Sequence, residues 1–291
     1  MAFFFIFVED QSDIMLQKYA PIGVFDSGYG GLTVLKELKA YLPQYDFVYL
    51  GDNARTPYGT RSFGVVYEYT LQAVKKLFEM NCHLVVIACN TASAKALRSI
   101  QQIDLPVIAP QKRVLGVIRP SVEKVIEVTQ NGHVGVVGTV GTVASESYPI
   151  ELAKWGGGKV ASTVQEACPM WVPIVENNEA GTPGADYFIR KNIKNILGKD
   201  EDMDTLILGC THYPLLMASI EKFLPGNIRI LSQGAIVAEK LGDYLKRHPE
   251  IERECSKNAT VNYYTTESVD VFESRAGYFL GGGLKARSIH L

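Results

Sequence analysis

The chain has 291 residues, enough for about two domains with a sizeable core. Its 29 Lys and Arg nearly balance 31 Asp and Glu, and 47% of residues are hydrophobic against 21% charged, an ordinary globular composition. A formal charge of −2 gives no basic footprint for nucleic acid or an anionic membrane, so composition points to a small or proteinaceous partner and leaves open only a local patch.

Residues 2–8 (AFFFIFV) are apolar but too short to span a bilayer. They lack a basic flank and run into Glu9 and Asp10, so they are not read as a targeting signal. Met15 lies just before the first patterned strand, which makes residues 1–14 an expected extension or a misplaced start. From residue 21 onward short apolar runs alternate with helical periodicity, predicting an α/β fold on mainly parallel sheet. Residues 21–25 read as a buried strand; after a glycine-rich turn Leu32, Leu35, Leu38 and Leu42 recur at helical spacing until Pro43. Further strands are predicted at 47–50, 84–88, 134–137, 205–208 and 228–231. One helix passes through Val74, Leu77 and Phe78, and another runs from Thr91 to about Gln101.

Two features recur. GVFDSG at residue 23 resembles GVVGTV at residue 135, and VVIACNT, with Cys89, resembles LILGCTH, with Cys210. Similar offsets predict two related halves, each with a strand before a small-residue turn and a later strand ending in Cys. Ligands of open α/β sheets bind beyond the carboxyl ends of strands. If the halves face one another, both cysteines approach one cleft from opposite sides.

Five cysteines at 82, 89, 168, 210 and 255, odd in number and without a CxxC pair, argue against a disulfide framework or a structural zinc site. Reduced thiols and a cytosolic compartment are expected. Cys89, followed by Asn90, Thr91 and Ser93, lies at a predicted helix N-terminus, where a thiol is acidified. Burial as a small apolar residue is the alternative. Cys210 repeats the placement, with Thr211 and His212 after it, whereas Cys82, Cys168 and Cys255 are assigned to packing. His212 can carry a proton near neutral pH. Gly28, Gly30 and Gly31 permit close approach of an anion or form a plain tight turn; they lack the Walker lysine and dinucleotide spacing. Asp26 is either a helix cap or a proton carrier, and the loop with Arg55, Pro57, Tyr58 and Gly59 is either ordered for binding or a turn with a solvated arginine.

In chain order the blocks GVFDSGYGGLTVL, YLGDNARTPYG, VVIACNTASA, GVVGTVGTV, CPMWVPIVE and LILGCTHYPLL, within residues 23–216, resemble the glutamate racemase family of the aspartate/glutamate racemase superfamily. The paired ACNT and GCTH blocks are the most specific. The resemblance implies cofactor-independent, metal-free interconversion of L- and D-glutamate, supplying D-glutamate for bacterial peptidoglycan, by a cytoplasmic homodimer that binds neither nucleic acid nor membrane. It implies two similar open, mainly parallel α/β domains related by a pseudo-two-fold axis, with the site in the cleft between them. The first domain is expected to be discontinuous, 15–115 plus 225–291, and the second to span 116–224. Cys89 and Cys210 match the two catalytic bases, the first working on the D enantiomer and the second on the L enantiomer. Asp26, Glu176 and His212 match residues that assist the thiols. The matching substrate contacts are Asp26 and Ser27, Tyr58 and Gly59, Asn90 and Thr91, Thr211 and His212, with Thr139 and Thr142. An aspartate racemase or related cysteine-dependent isomerase is the nearer rival; a phosphate-handling hydrolase or a nonenzymatic amino-acid binder is more distant.

The sequence departs from the family pattern in three places. APQKRVL reads as extra residues at the domain crossover, Arg119 stands where Glu is frequent, and Ser232 and Gln233 stand where an acidic residue is common. The chemistry suits the residues. Racemisation takes the α-proton from one face and returns a proton to the other, so a substrate that does not turn over needs two opposed bases, one thiolate and one thiol. A free thiol ionises near pH 8.5, within reach of a cap position or a positive neighbour. No pyridoxal lysine signature is present, so the carbanion must be stabilised by water exclusion, the substrate ammonium and nearby donors.

Overall fold

Parallel strands must be joined by crossovers, and helices on both faces leave such strands buried from both sides. That is why the apolar runs read from the sequence are continuous rather than alternating. The computed structural model describes residues 20–291; the 2–8 run, Met15 and the expected extension lie outside the described residues. Among the described residues, strands β1 (Ile22–Asp26), β2 (Phe47–Gly51), β3 (Leu84–Ile87), β4 (Arg113–Gly116), β5 (His133–Gly138), β6 (Ser162–Ala167), β7 (Thr205–Gly209), β8 (Arg229–Leu231), β9 (Val261–Thr265) and β10 (Ala286–Ser288) form two sheets. Every pairing is parallel. β1, β3 and β7 are buried along their whole length.

The sheet orders are β10-β9-β2-β1-β3-β4 and β6-β5-β7-β8. The unit β2-β1-β3-β4 is therefore repeated as β6-β5-β7-β8, the structural form of the duplicated segments. In each sheet the order reverses between the first and third strands of the unit, β1 and β3 or β5 and β7. Such a switch point opens a crevice beyond the carboxyl ends. Asp26 ends β1, Cys89 follows β3, Thr139 follows β5 and Cys210 follows β7.

Seven helices bear on the site: α1 (Gly31–Tyr41), α2 (Asn90–Lys95), α3 (Ile118–Val128), α4 (Ser147–Trp155), α5 (Trp171–Glu176), α6 (Gln233–Arg247) and α7 (Val269–Leu280). α1 buries Leu32, Leu35 and Leu38, as their spacing predicts. The helix expected from Thr91 to Gln101 is instead segmented. α2 ends at Lys95, and Leu97–Ser99 leads into a π-helical turn at Ile100–Asp104 and a last turn at Leu105–Ile108. β4, β6, β9 and β10 were not expected. The RVL of APQKRVL, with Gly116, is an edge strand on β3, with Val114 opposite Val85, rather than spare crossover sequence. β8 pairs with β7, so the second sheet continues past residue 224 to Leu231. The chain then returns through α6, which packs along α1; a methyl at Gly234 would meet Glu37 Cγ at 2.7 Å, so the two helices touch closely there. Among the described residues no helix is long and apolar enough to cross a membrane.

Candidate active site

Cys89 is the N-cap of α2, and its own sulfur does the capping: Ala92 N donates to Cys89 Sγ at 3.5 Å. The thiol donates to Ser27 Oγ at 3.4 Å. Ser27 is held in the turn after β1, where Gly28 N donates to Asp26 Oδ2 at 2.9 Å and Tyr49 Oη donates to Gly28 O at 2.8 Å. The N-cap of α1 is Gly30, so Asp26 is not that helix's cap. Asp26 is buried, and among the described residues its Oδ1 has no partner at full hydrogen-bond geometry.

Cys210, at the end of β7, faces His212 Nδ1 at 3.8 Å, and His212 Nε2 meets Glu176 Oε1 at 3.0 Å. Two packing contacts fix that pair. Trp171, fully buried at the start of α5, meets the Tyr213 ring edge-on at 4.8 Å between centroids, and Phe279 of α7 stands edge-on to His212 at 5.5 Å. The turn after β1 lies directly against them. Thr33 Oγ1 donates to Thr211 O at 3.0 Å, and a Cβ at Gly30 would stand 2.5 Å from His212 Nδ1. Only glycine lets the two halves approach this closely.

Three hydroxyls close the other side. Thr91 Oγ1 lies 2.9 Å from Thr139 Oγ1 and 3.3 Å from Thr142 Oγ1, and the last two are 3.0 Å apart. Gly141 N donates to Gly59 O at 2.8 Å, drawing the 52–59 loop to the second sheet.

Electrostatics distinguish the two thiols' surroundings. Burial pushes Cys89 up to about 12, reinforced by the charge of Asp26 and opposed by the hydrogen bonds to Ser27 and Ala92. Burial also raises Asp26, with His212 and the Gly28 amide pulling the other way. For His212 burial disfavours the cation, but the hydrogen bonds to Cys210 and Glu176 overcome it and lift the imidazole to about 10. Those two bonds favour the imidazolium, which stands between a sulfur and a carboxylate.

Cys89, Ser27, Asp26, Thr91, Thr139, Thr142, Gly59, Cys210, Thr211, His212 and Glu176 thus come together at facing strand ends. Two of the expected contact residues have their polar ends bonded to protein partners. Tyr58 is buried with its hydroxyl donating to Asp52, and the Asn90 amide is engaged at both ends by Gln233 and Tyr148. Arg55 is not a solvated arginine. It pairs with Asp52 Oδ2 at 2.7 Å and covers the Tyr69 ring at 4.1 Å, because Asp52 is wholly buried and needs the cation. Asp52 is the residue that sequence reasoning missed, since an acid beside a turn carries no local signature; Gln233 stands out in the sequence only as a departure from a common acidic residue, with nothing local to show its partners.

Residues 22–241 match the Asp/Glu/Hydantoin racemase family. The chain belongs to that family. The glutamate racemase of Shouchella clausii (strain KSM-K16) is 40% identical over 261 residues, covering 89% of this chain and 90% of that one. The RacE1 glutamate racemase of Bacillus anthracis superposes with a TM-score of 0.84 at 35% identity, covering 94% of this chain and 98% of that one. The glutamate racemase of Francisella tularensis in complex with D-glutamate gives a TM-score of 0.81 at 29% identity over the same shares, 94% and 98%.

Within this racemase fold a cavity of about 650 Å³ lies away from the thiols, between Lys95, Arg98, Arg119, Lys154 and Trp155. Neither cysteine nor His212 lines it, so chemistry rather than volume locates the site. Among the described residues one group has metal-ligand types close together, His133 with Asp200 and Asp202, at the opposite end of β5 from Thr139. There His133 Nδ1 and Asp200 already satisfy each other at 2.9 Å. Cys82 and Cys255 are buried and pushed up to about 12 by that burial, in keeping with packing.

Proposed function

We propose that the chain interconverts L- and D-glutamate by proton transfer between Cys89 and Cys210, and so supplies D-glutamate for bacterial peptidoglycan. One observation carries the reading: each sheet delivers one buried thiol to its switch point, and each thiol has its own proton-carrying neighbours, Asp26 and Ser27 for Cys89, His212 and Glu176 for Cys210. For the D enantiomer the Cys89 thiolate takes the α-hydrogen, breaking Cα–H and forming S–H, while the Cys210 thiol gives its proton to the opposite face. For the L enantiomer the roles exchange. Each turnover leaves the two sulfurs in exchanged protonation states, so the enzyme is reset by the reverse reaction or by proton exchange through Asp26 and His212.

Burial holds Cys89 as a thiol, and the substrate ammonium, entering beside it, supplies the positive charge that favours the thiolate. The Thr91, Thr139, Thr142 and Thr211 hydroxyls are donors for the substrate carboxylates and the developing enolate. The domain division that fits this cleft is 20–116 plus 232–291 around 117–231, with a cytoplasmic homodimer as the assembly. Circular dichroism of pure L-glutamate with chelator-treated, cofactor-free protein tests the proposal. The signal should decay to zero, L-aspartate should persist, and Cys89→Ser or Cys210→Ser should each lower the rate by about a thousandfold or more. Retained activity in either variant, or faster decay with aspartate, overturns it.

A further inference from the structure

A closed ring of hydrogen bonds stands where the chain crosses between the sheets. Asn90 Nδ2 donates to Gln233 Oε1 at 2.5 Å, Gln233 Nε2 donates to Tyr148 Oη at 2.6 Å, and Tyr148 Oη donates to Asn90 Oδ1 at 2.7 Å. Its three members come from three bodies. Asn90 opens α2 beside Cys89, Tyr148 lies on α4 over the second sheet, and Gln233 opens α6 on the returning crossover. Gln233 Nε2 also donates to Ser121 Oγ at 2.9 Å, and Ser121 donates to Val117 O at 2.8 Å, at the outgoing crossover. One side chain therefore touches both crossovers and the residue next to a thiol. All three ring members are buried.

We propose that Gln233 is a positioning residue for the reaction, a hinge pin that fixes the Cys89 helix relative to the domain carrying Cys210; this rests on the two-thiol reading above. α2 is a six-residue helix joined to the second domain at two successive side chains, through Thr91 to Thr139 and through Asn90 to the ring. The ring could close in either sense; the Ser121 acceptor, whose own hydroxyl proton goes to Val117 O, requires a donor from Gln233 and selects this one, and opening one bond leaves its partners unpaired in the interior. Only an amide has the acceptor and the two donors this position uses; a carboxylate accepts only.

The titratable groups around position 233 are Tyr148, Cys89 next to Asn90, Cys210, whose charge acts on Tyr148, and Glu37 of α1 against Gly234. On α3, Glu123 and Glu127 are paired with Lys240. No cation faces the ring among the described residues. A carboxyl introduced by Gln233→Glu is thus raised by burial, and its protonated form donates to Tyr148 and closes the ring, whereas its ionised form cannot.

The experiment measures kcat and KM across pH for Gln233→Glu, Gln233→Ala and Tyr148→Phe. The ratio of Gln233→Glu to wild-type kcat should fall about tenfold between about pH 6 and pH 9, with KM changing far less, while Gln233→Ala is about tenfold slow at every pH. Tyr148→Phe, which keeps the core filled, should slow the wild type but add little in the Gln233→Ala background. A pH-independent ratio for folded Gln233→Glu, or fully multiplicative losses in the double variant, overturns the pin. A wild type that fails to racemise glutamate refutes the two-thiol reading instead. The pin is then read from thermal unfolding, where Tyr148→Phe and Gln233→Ala should lower Tm non-additively and additive losses overturn it.

Discussion

Gly30→Ala isolates the contact between the β1 turn and the Cys210 side of the cleft. Gly30 has φ −58° and ψ −35°, which alanine adopts without strain, so any effect is steric. The new Cβ would stand 2.5 Å from His212 Nδ1 and 2.7 Å from His212 Cε1, with Thr211 Oγ1 closer still, and restoring a 3.4 Å contact requires a shift of about 0.9 Å. His212 has little room to yield, being bonded to Glu176 at 3.0 Å on one side and set against Phe279 on another. A displacement near 1 Å at a proton-transfer group costs about a hundredfold in rate, and overpacking costs about 1–3 kcal/mol of stability. Circular dichroism assays in both directions give kcat and KM, and a thermal melt gives the stability change, at about 2–4 °C per kcal/mol for a chain of this size. Gly64→Ala is the control, because a methyl there meets nothing within 4 Å. A Gly30→Ala enzyme within about threefold of wild-type kcat would refute the claim that this turn sets the position of His212.

Alkylation of Cys89 by iodoacetamide should keep accelerating as pH rises past the ordinary thiol range while the protein stays folded, because burial holds the thiol up, and glutamate should protect. Asp26→Asn, which removes a charge opposing the thiolate, should speed the reaction at fixed pH, and Ser27→Ala, which removes a hydrogen bond favouring it, should slow it; peptide mapping that finds both variants unchanged counts against the assigned surroundings. His212 is lifted from 6.5 to about 10 against the effect of burial, by its bonds to Cys210 and Glu176, so between those values the folded state holds more protons than the unfolded one. Its stabilisation is complete below about pH 6.5 and is lost as pH rises through about 10, so wild-type Tm should fall more steeply across that window than His212→Asn; parallel slopes reject the assignment.

The parts of the fold legible in the sequence are those buried from both sides. VVI before Cys89 and LILG before Cys210 are apolar because helices cover both faces, and their repetition shows the two related halves. The strands not legible in the sequence are β6 (STVQEA), partly exposed, β4 and β9, whose residues are mostly half-buried, and the short, largely exposed β10, so no continuous run marks them. Site residues next to the cysteines were legible because strand ends place them at the cleft. The protein partners of Asn90 and Tyr58 are not legible: their polar ends are bonded to Gln233, Tyr148 and Asp52, at sequence separations of 143, 58 and 6. β8 is legible as the apolar run at 228–231, but its pairing with β7, which carries the second sheet past residue 224, is not marked in the sequence.

The central claim is two bases on opposite faces, and isotope uptake tests it most directly. Starting from either pure enantiomer of glutamate in deuterated water, product formed at early times should carry solvent deuterium at Cα, while recovered starting enantiomer stays mostly unlabelled. Product that keeps its original hydrogen, or early labelling that is equal in both enantiomers, would contradict the assignment of Cys89 and Cys210 to separate faces.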